Sequence, residues 1–181
     1  MRLLLNSRNS NKLRELRAAL PEWEIEPLDA DDYPEENAAT YEGNARGKAR
    51  YGRALAPADV WVIGEDAGIE VEALGWGPGP RSARWSDHPL EGVLATGPGG
   101  RARYRCTIVG IGPDGREVVA DGTLAGSVAD DARGDEGFGY DPVFVPDGEV
   151  RTVAELGDEW KSRNSARARA AAALREALAQ A

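Results

Sequence analysis

Val60-Trp61-Val62-Ile63-Gly64-Glu65-Asp66-Ala67-Gly68 carries an apolar strand straight into two adjacent carboxylates bracketed by glycines. Carboxylates at the end of a buried strand are costly unless a cation or a metal pairs with them. Their hard oxygens suit Mg²⁺, the ion that accompanies phosphate substrates. A plain turn is the alternative, and the metal reading outranks it.

Upstream, Arg2 to Asn6 reads as a short buried strand that opens into the polar loop Asn6-Ser7-Arg8-Asn9-Ser10-Asn11-Lys12. Leu13, Leu16 and Leu20 follow at helical spacing, with Asn9 or Ser10 as the N-cap. Strand, polar loop and helix N-terminus together present free N–H groups to phosphate, and Lys12 adds a point charge. No Walker pattern is present, so an ordinary capped helix stays open. Trp23 to Leu28 reads as a second strand. The acidic loop Asp29-Ala30-Asp31-Asp32-Tyr33-Pro34-Glu35-Glu36 after it reads as solvated. Thr40 to Leu55 reads as a helix despite Gly43, Gly47 and Gly52, which suggests close packing; Asn44 and Lys48, four apart, share one face.

Downstream, Gly75 to Pro80 is a loop leading to Arg81-Ser82-Ala83-Arg84-Trp85, and Leu90 to Ala95 a short helix. Arg101 to Ile111 and Arg116 to Val128 alternate around Pro113-Asp114-Gly115, the pattern of an antiparallel hairpin. Cys106 falls on its core face, and His88 reads as surface. Arg133-Gly134-Asp135-Glu136-Gly137-Phe138-Gly139-Tyr140-Asp141-Pro142 sets two rings and a carboxylate in a glycine-rich turn. Phe138 there could stack on a planar base while Tyr140 and Asp141 read its edge or the sugar; a plain loop with Phe138 in the core is the alternative. Val143 to Val145 is a strand, Thr152 to Leu156 and Asp158 to Arg163 are short helical segments, and Ser165 caps a last helix. Its buried stripe is Ala168, Ala171, Leu174 and Leu178. The expected fold is a single mixed α/β domain over residues 1–181.

With 41% hydrophobic and 29% charged residues the composition is that of a globular protein, and a net charge of −9 argues against nucleic-acid polymers. Lys161, Arg163, Arg167, Arg169 and Arg175 nevertheless form a late basic cluster, either an anion site or a solvated helix face. One cysteine and one histidine exclude an internal disulfide and leave zinc without a ligand set. With no apolar run of membrane-spanning length and no signal-peptide pattern, the expected partners include no membrane and the expected compartment is the cytoplasm.

End to end, these motifs resemble the inosine triphosphate pyrophosphatase family. Asn6 to Lys12 is similar to its Ala-Thr-Gly-Asn-x-x-Lys, and Tyr41 to Ala49 to its Phe-x-Glu-Asn-Ala-x-x-Lys-Ala. Gly64 to Ile69 resembles Ala-Asp-Asp-Ser-Gly-Leu, and Pro78 to Arg84 resembles Pro-Gly-x-x-Ser-Ala-Arg. Gly137-Phe138-Gly139-Tyr140-Asp141-Pro142 is the most specific match, and Lys161 with Ser165-Ala166-Arg167 resembles the closing Lys and Ser-His-Arg. The septum-formation inhibitor family shares the architecture, but its Ser-Pro-Arg-Arg opening is absent.

The resemblance implies an elongated two-lobed α/β homodimer with a central cleft. It implies Mg²⁺-dependent hydrolysis of a nucleoside triphosphate to monophosphate and pyrophosphate, with 6-keto bases preferred. Asp66, Lys48 and Asn44 would be catalytic, and Asp66 with Glu65 would hold the metal. Ser7, Asn9, Lys12 and Lys161 would hold the triphosphate, with Ala67 beside it. Phe138, Gly139, Tyr140, Asp141 and Arg167 would hold base and sugar. Against the family pattern, Gly43 stands at the position read as a metal-binding Glu, and Glu36-Asn37-Ala38 reads as an out-of-register decoy. Glu65 or Glu42 would then supply the missing ligand. Arg8, Ala67 and Ala166 replace a Gly, a Ser and a His, which points to an altered base preference. A nucleotide-binding member with weak or lost catalysis is the alternative that Gly43 suggests.

Overall fold

The computed structural model describes residues 1–30 and 32–179, so Asp31 of the acidic loop lies outside the described residues. β1 (Arg2–Leu5) runs parallel to β2 (Glu24–Pro27), and α1 (Ser10–Ala19) makes the crossover. β1 is also parallel to β3 (Trp61–Val71), reached through α2 (Tyr41–Leu55). From there the sheet is antiparallel: β4 (Gly77–Pro78) and β5 (Arg101–Ile111) pair with β3, β6 (Glu117–Val128) with β5, and β7 (Phe144–Pro146) with β6. The order is β2-β1-β3-β5-β6-β7, with β4 beside β3. The expected mixed α/β fold is the one observed.

Helices cover both faces. α1 and α5 (Ala166–Ala179) pack on one, where Leu3, Leu5, Leu16, Ile63, Ile108 and Leu174 are all fully buried. Each such side chain contributes roughly 1.5–3 kcal/mol. α2 packs on the other through Ala45 and Ala49 against Val109 and Ile111. Its approach depends on Gly64, where a Cβ would lie 2.1 Å from the Ala45 carbonyl oxygen.

The Gly64–Gly68 stretch is therefore not a turn. β3 passes through it unbroken, paired residue for residue with β5. On its other edge β1 covers Trp61 to Ile63 and β4 covers Glu70 and Val71. Between them, side chains do the work of a strand. The Lys48 ammonium donates to the Glu65 carbonyl at 2.9 Å, and Ser82 Oγ accepts from Ile69 N at 2.9 Å.

α3 (Pro89–Leu94) is short, as expected. α4 (Val153–Asn164) is broken at Gly157 (φ 85°, ψ 173°), which divides it into the two short helical segments expected from the sequence. Thr152 and Glu155 form a capping box on the first part. Glu136 accepts from Asp158 N at 2.8 Å and caps the second, which carries Lys161.

Candidate active site

A cavity of about 230 Å³ opens beside the part of β3 that has no strand neighbour on that edge. Asp66 and Ala67 line one end, Phe138, Asp141 and Lys161 the other, and Lys12 and Arg167, which share the Glu65 carboxylate, lie between them. Asn9 caps α1 by accepting from Asn11 N (3.0 Å) and Lys12 N (3.4 Å), and Ser7 Oγ accepts from Asn9 N at 3.2 Å. The predicted polar loop thus delivers Asn9 and Lys12 to the cavity.

Strand alternation separates the two adjacent carboxylates. Glu65, fully buried, faces α1 and α5. Its Oε2 lies 2.7 Å from Lys12 Nζ and its Oε1 2.9 Å from Arg167 Nη2, while Cys106 Sγ donates to Oε1 at 3.1 Å. Burial alone would raise its pKa, but Arg167 and Lys12 outweigh that and hold it well below the usual carboxylate range. Asp66 faces α2. Its Oδ2 accepts from Asn44 Nδ2 at 2.9 Å, and its Oδ1 lies 3.7 Å from Lys48 Nζ. Here burial prevails over Lys48 and Asn44, and the pKa is raised. Glu65 is consequently no partner of Asp66 in a shared ligand set, because the sheet lies between their side chains.

The second carboxylate on the Asp66 side is Glu36, the residue read from sequence as a decoy. It lines the cavity, and its Oε1 contacts Lys48 Nζ, the ammonium that also faces Asp66. Burial pushes its pKa up, but Lys48 pulls it below the ordinary value. Asn44 joins the two, since its Oδ1 accepts from Ala38 N at 2.9 Å while its amide holds Asp66. At Gly43 a Cβ would lie 2.8 Å from Ala38 Cβ, against the loop. Glu42, half-exposed, pairs with Arg46 on α2. Glu65 and Glu42, the two expected substitutes for the missing ligand, thus pair with cations away from the Asp66–Glu36 contact with Lys48. The signal for Glu36 was its closeness in sequence to the α2 N-cap, which folds the loop back over Asn44.

At the other end, Gly137 (φ 78°) and Gly139 (φ 64°) adopt left-handed conformations that shape the turn. Asp141 organises it, accepting from Phe138 N at 2.7 Å and Tyr104 Oη at 3.1 Å and contacting Lys161 Nζ. The Tyr140 hydroxyl donates to the Ser82 carbonyl at 2.6 Å and accepts from Trp85 Nε1 at 2.5 Å, so it is engaged with protein. Lys161 Nζ lies 4.2 Å and Arg167 Cζ 5.6 Å from the Phe138 ring centre. Lys161 therefore lies against the aromatic turn while lining the same cavity as Lys12. Glu15, which sequence reading passed over, lies between these cations: Oε1 is 2.5 Å from Lys161 Nζ and Oε2 contacts Arg167. Its place three residues after Lys12 on α1 was the available clue.

A mixed sheet whose central strand borders a cavity with carboxylates and lysines at one end and an aromatic–cationic turn at the other defines an α/β protein with a highly charged cleft. The chain belongs to the Ham1 family, whose model matches residues 3–177. It is 44% identical over 191 residues to a dITP/XTP pyrophosphatase of Symbiobacterium thermophilum, covering 98% of this chain and 94% of the relative. A dITP/XTP pyrophosphatase of Deinococcus deserti is 38% identical over 179 residues, covering 93% and 85%. Among solved structures, the Staphylococcus aureus Ham1 protein superposes with a TM-score of 0.83 at 33% identity, covering 99% of each chain.

Proposed function

We propose that this chain hydrolyses nucleoside triphosphates of the dITP/XTP type to monophosphate and pyrophosphate, with Mg²⁺ held by Glu36 and Asp66. The observation that carries the reading is the meeting of Glu36 and Asp66, from a loop and from β3, on the single ammonium of Lys48. Two carboxylates facing one cation position suit a hard divalent ion that completes its shell with water and phosphate oxygens. No group of three or more Asp, Glu, His or Cys that could hold a metal occurs among the described residues, so Glu36 and Asp66 would leave most of the ion's shell to water and phosphate.

When bound, Mg²⁺ supplies positive charge to phosphate oxygens and lowers the pKa of water. Lys12, at the start of α1, neutralises phosphate at that end. Asp66 takes the proton of the attacking water at Oδ1, because Oδ2 is held by Asn44. The water oxygen bonds to phosphorus, the bridging P–O bond breaks, and pyrophosphate leaves. Phe138 offers a face to the base, with Lys161 and Arg167 as hydrogen-bond donors beside it.

Pyrophosphate release from ITP, XTP, dITP, ATP and GTP with Mg²⁺ tests this. The wild type is expected to prefer the first three. Glu36→Gln should lower kcat/KM by about 10²-fold or more, since the amide keeps the shape without the charge. Wild-type turnover in Glu36→Gln would remove Glu36 from the site. The same assay tests base choice. Ala166, buried in the cavity lining, offers only a methyl. Ala166→His should raise the ITP-to-ATP ratio of kcat/KM several-fold, one hydrogen bond being worth roughly 0.5–1.5 kcal/mol. An unchanged ratio would mean that position 166 does not read the base.

A further inference from the structure

Arg84 lies on the rim of the site, on the segment between the Gly79–Arg81 turn and α3. Its Nη2 donates to the backbone carbonyl of Glu36, and its Nη1 lies 3.4 Å from Glu36 Oε2. The other carboxylate oxygen of Glu36 rests on Lys48. Glu36 is thus held at both carboxylate oxygens and at its own carbonyl, by cations from two different parts of the chain. It needs such support, because residues 32–38 form neither helix nor strand. A carboxylate on irregular backbone has little else to fix its direction.

The segment behind Arg84 is anchored in turn. Ser82 Oγ accepts from Ile69 N and donates to the Gly79 carbonyl at 2.6 Å, fixing the segment to β3. The Ser82 carbonyl and Trp85 Nε1 both bond the Tyr140 hydroxyl, fixing it to the turn that carries Phe138. One short strap therefore joins the loop bearing Glu36 to the turn at the far end of the cavity.

We propose that Arg84 is a positioning residue that holds Glu36 in its metal-binding place, using the Ser82–Trp85 strap as its anchor on β3 and the Phe138 turn. The inference rests on the reading of Glu36 as a Mg²⁺ ligand. The Arg84 side chain is 51% exposed, so the ion pair alone is weak, and the bond to the Glu36 carbonyl adds direct control of the loop backbone. Lysine cannot reproduce the grip, because its single ammonium lacks the planar fork that reaches carbonyl and carboxylate together.

The test is Mn²⁺ titration of the nucleotide-free protein by calorimetry, for wild type, Arg84→Ala, Arg84→Lys, Glu36→Gln and the Arg84→Ala/Glu36→Gln double variant. Arg84→Ala should weaken Mn²⁺ binding about three- to tenfold, with Arg84→Lys recovering only part of the loss. In the Glu36→Gln background the same change should have no further effect, the mark of action through that carboxylate. In hydrolysis, Arg84→Ala should raise the half-saturating Mg²⁺ concentration by a matching factor. An Arg84→Ala protein that melts earlier but binds Mn²⁺ as the wild type does would overturn the proposal and leave the Glu36 reading standing. Unchanged Mn²⁺ affinity in Glu36→Gln would overturn both.

Discussion

Asp66→Asn is expected to eliminate pyrophosphate release while leaving the fold at least as stable as the wild type. The amide keeps the shape and the Asn44 contact region but can neither accept the proton of water nor match a carboxylate as a ligand for Mg²⁺. Loss of a positioned general base alone costs about 10²–10⁴-fold, and loss of a metal ligand adds to it. The stability side follows from the raised pKa of Asp66, whose largest cause is burial. A raised pKa means that the fold favours the protonated form; that stabilisation is complete below the unfolded pKa and is lost as pH rises through the folded one. At neutral pH the charged Asp66 is therefore a cost to folding, and a neutral isostere relieves it. Turnover and chemical denaturation at pH 7 check both halves. Wild-type turnover in the variant would sink the assignment of Asp66.

The neighbouring residue should behave in the opposite way. Glu65→Gln is expected to destabilise the protein by roughly 3–5 kcal/mol at pH 7, because it leaves the buried Arg167 and the partly buried Lys12 short of a counter-charge. The folded pKa of Glu65 is depressed: Arg167 and Lys12 overcome the opposing effect of its complete burial. Its contribution is thus fully present above the unfolded carboxylate pKa of about 4.3 and fades as pH falls toward the folded value. Denaturation curves of wild type and variant should therefore converge in acid. A difference under about 0.5 kcal/mol at pH 7 would show that the buried network gives nothing net.

Much of this was legible in the chain because local rules and tertiary packing agree. Asn9 caps α1 and the hairpin of β5 and β6 follows its alternation, and Gly157 interrupts α4 where the sequence breaks its period. The site was legible where its residues lie in compact motifs, as with Asp66, Asn44 and Lys48, which come together as expected. It was illegible where meaning depends on direction. Glycines 64 and 68 read only as brackets around two carboxylates, with a plain turn as the alternative, but they give room to α2 and to Ser82. Glu65 and Asp66 read as one pair, although a continuous strand sends them to opposite faces. Glu36 was set aside because its acidic loop read as solvated and its Glu-Asn-Ala fell out of register with Lys48, and only the long-range contacts with Lys48 and Arg84 reveal its place.

The alternation of β3 also limits how this chain can change in length. Substitutions within Gly64–Gly68 alter one face at a time, but adding or removing one residue there would shift the strand by a single step relative to β5. The carboxylate now beside Asn44 and Lys48 would turn toward Arg167, and the one neutralising Lys12 and Arg167 would turn toward α2. Both the acid–base centre and the internal ion network would be miswired at once, although the composition of the stretch would barely differ. Insertions and deletions are accordingly tolerable in an exposed connection such as 113–115, whereas the number of residues between the Ile63 and Ile69 anchors is fixed by the side each must face.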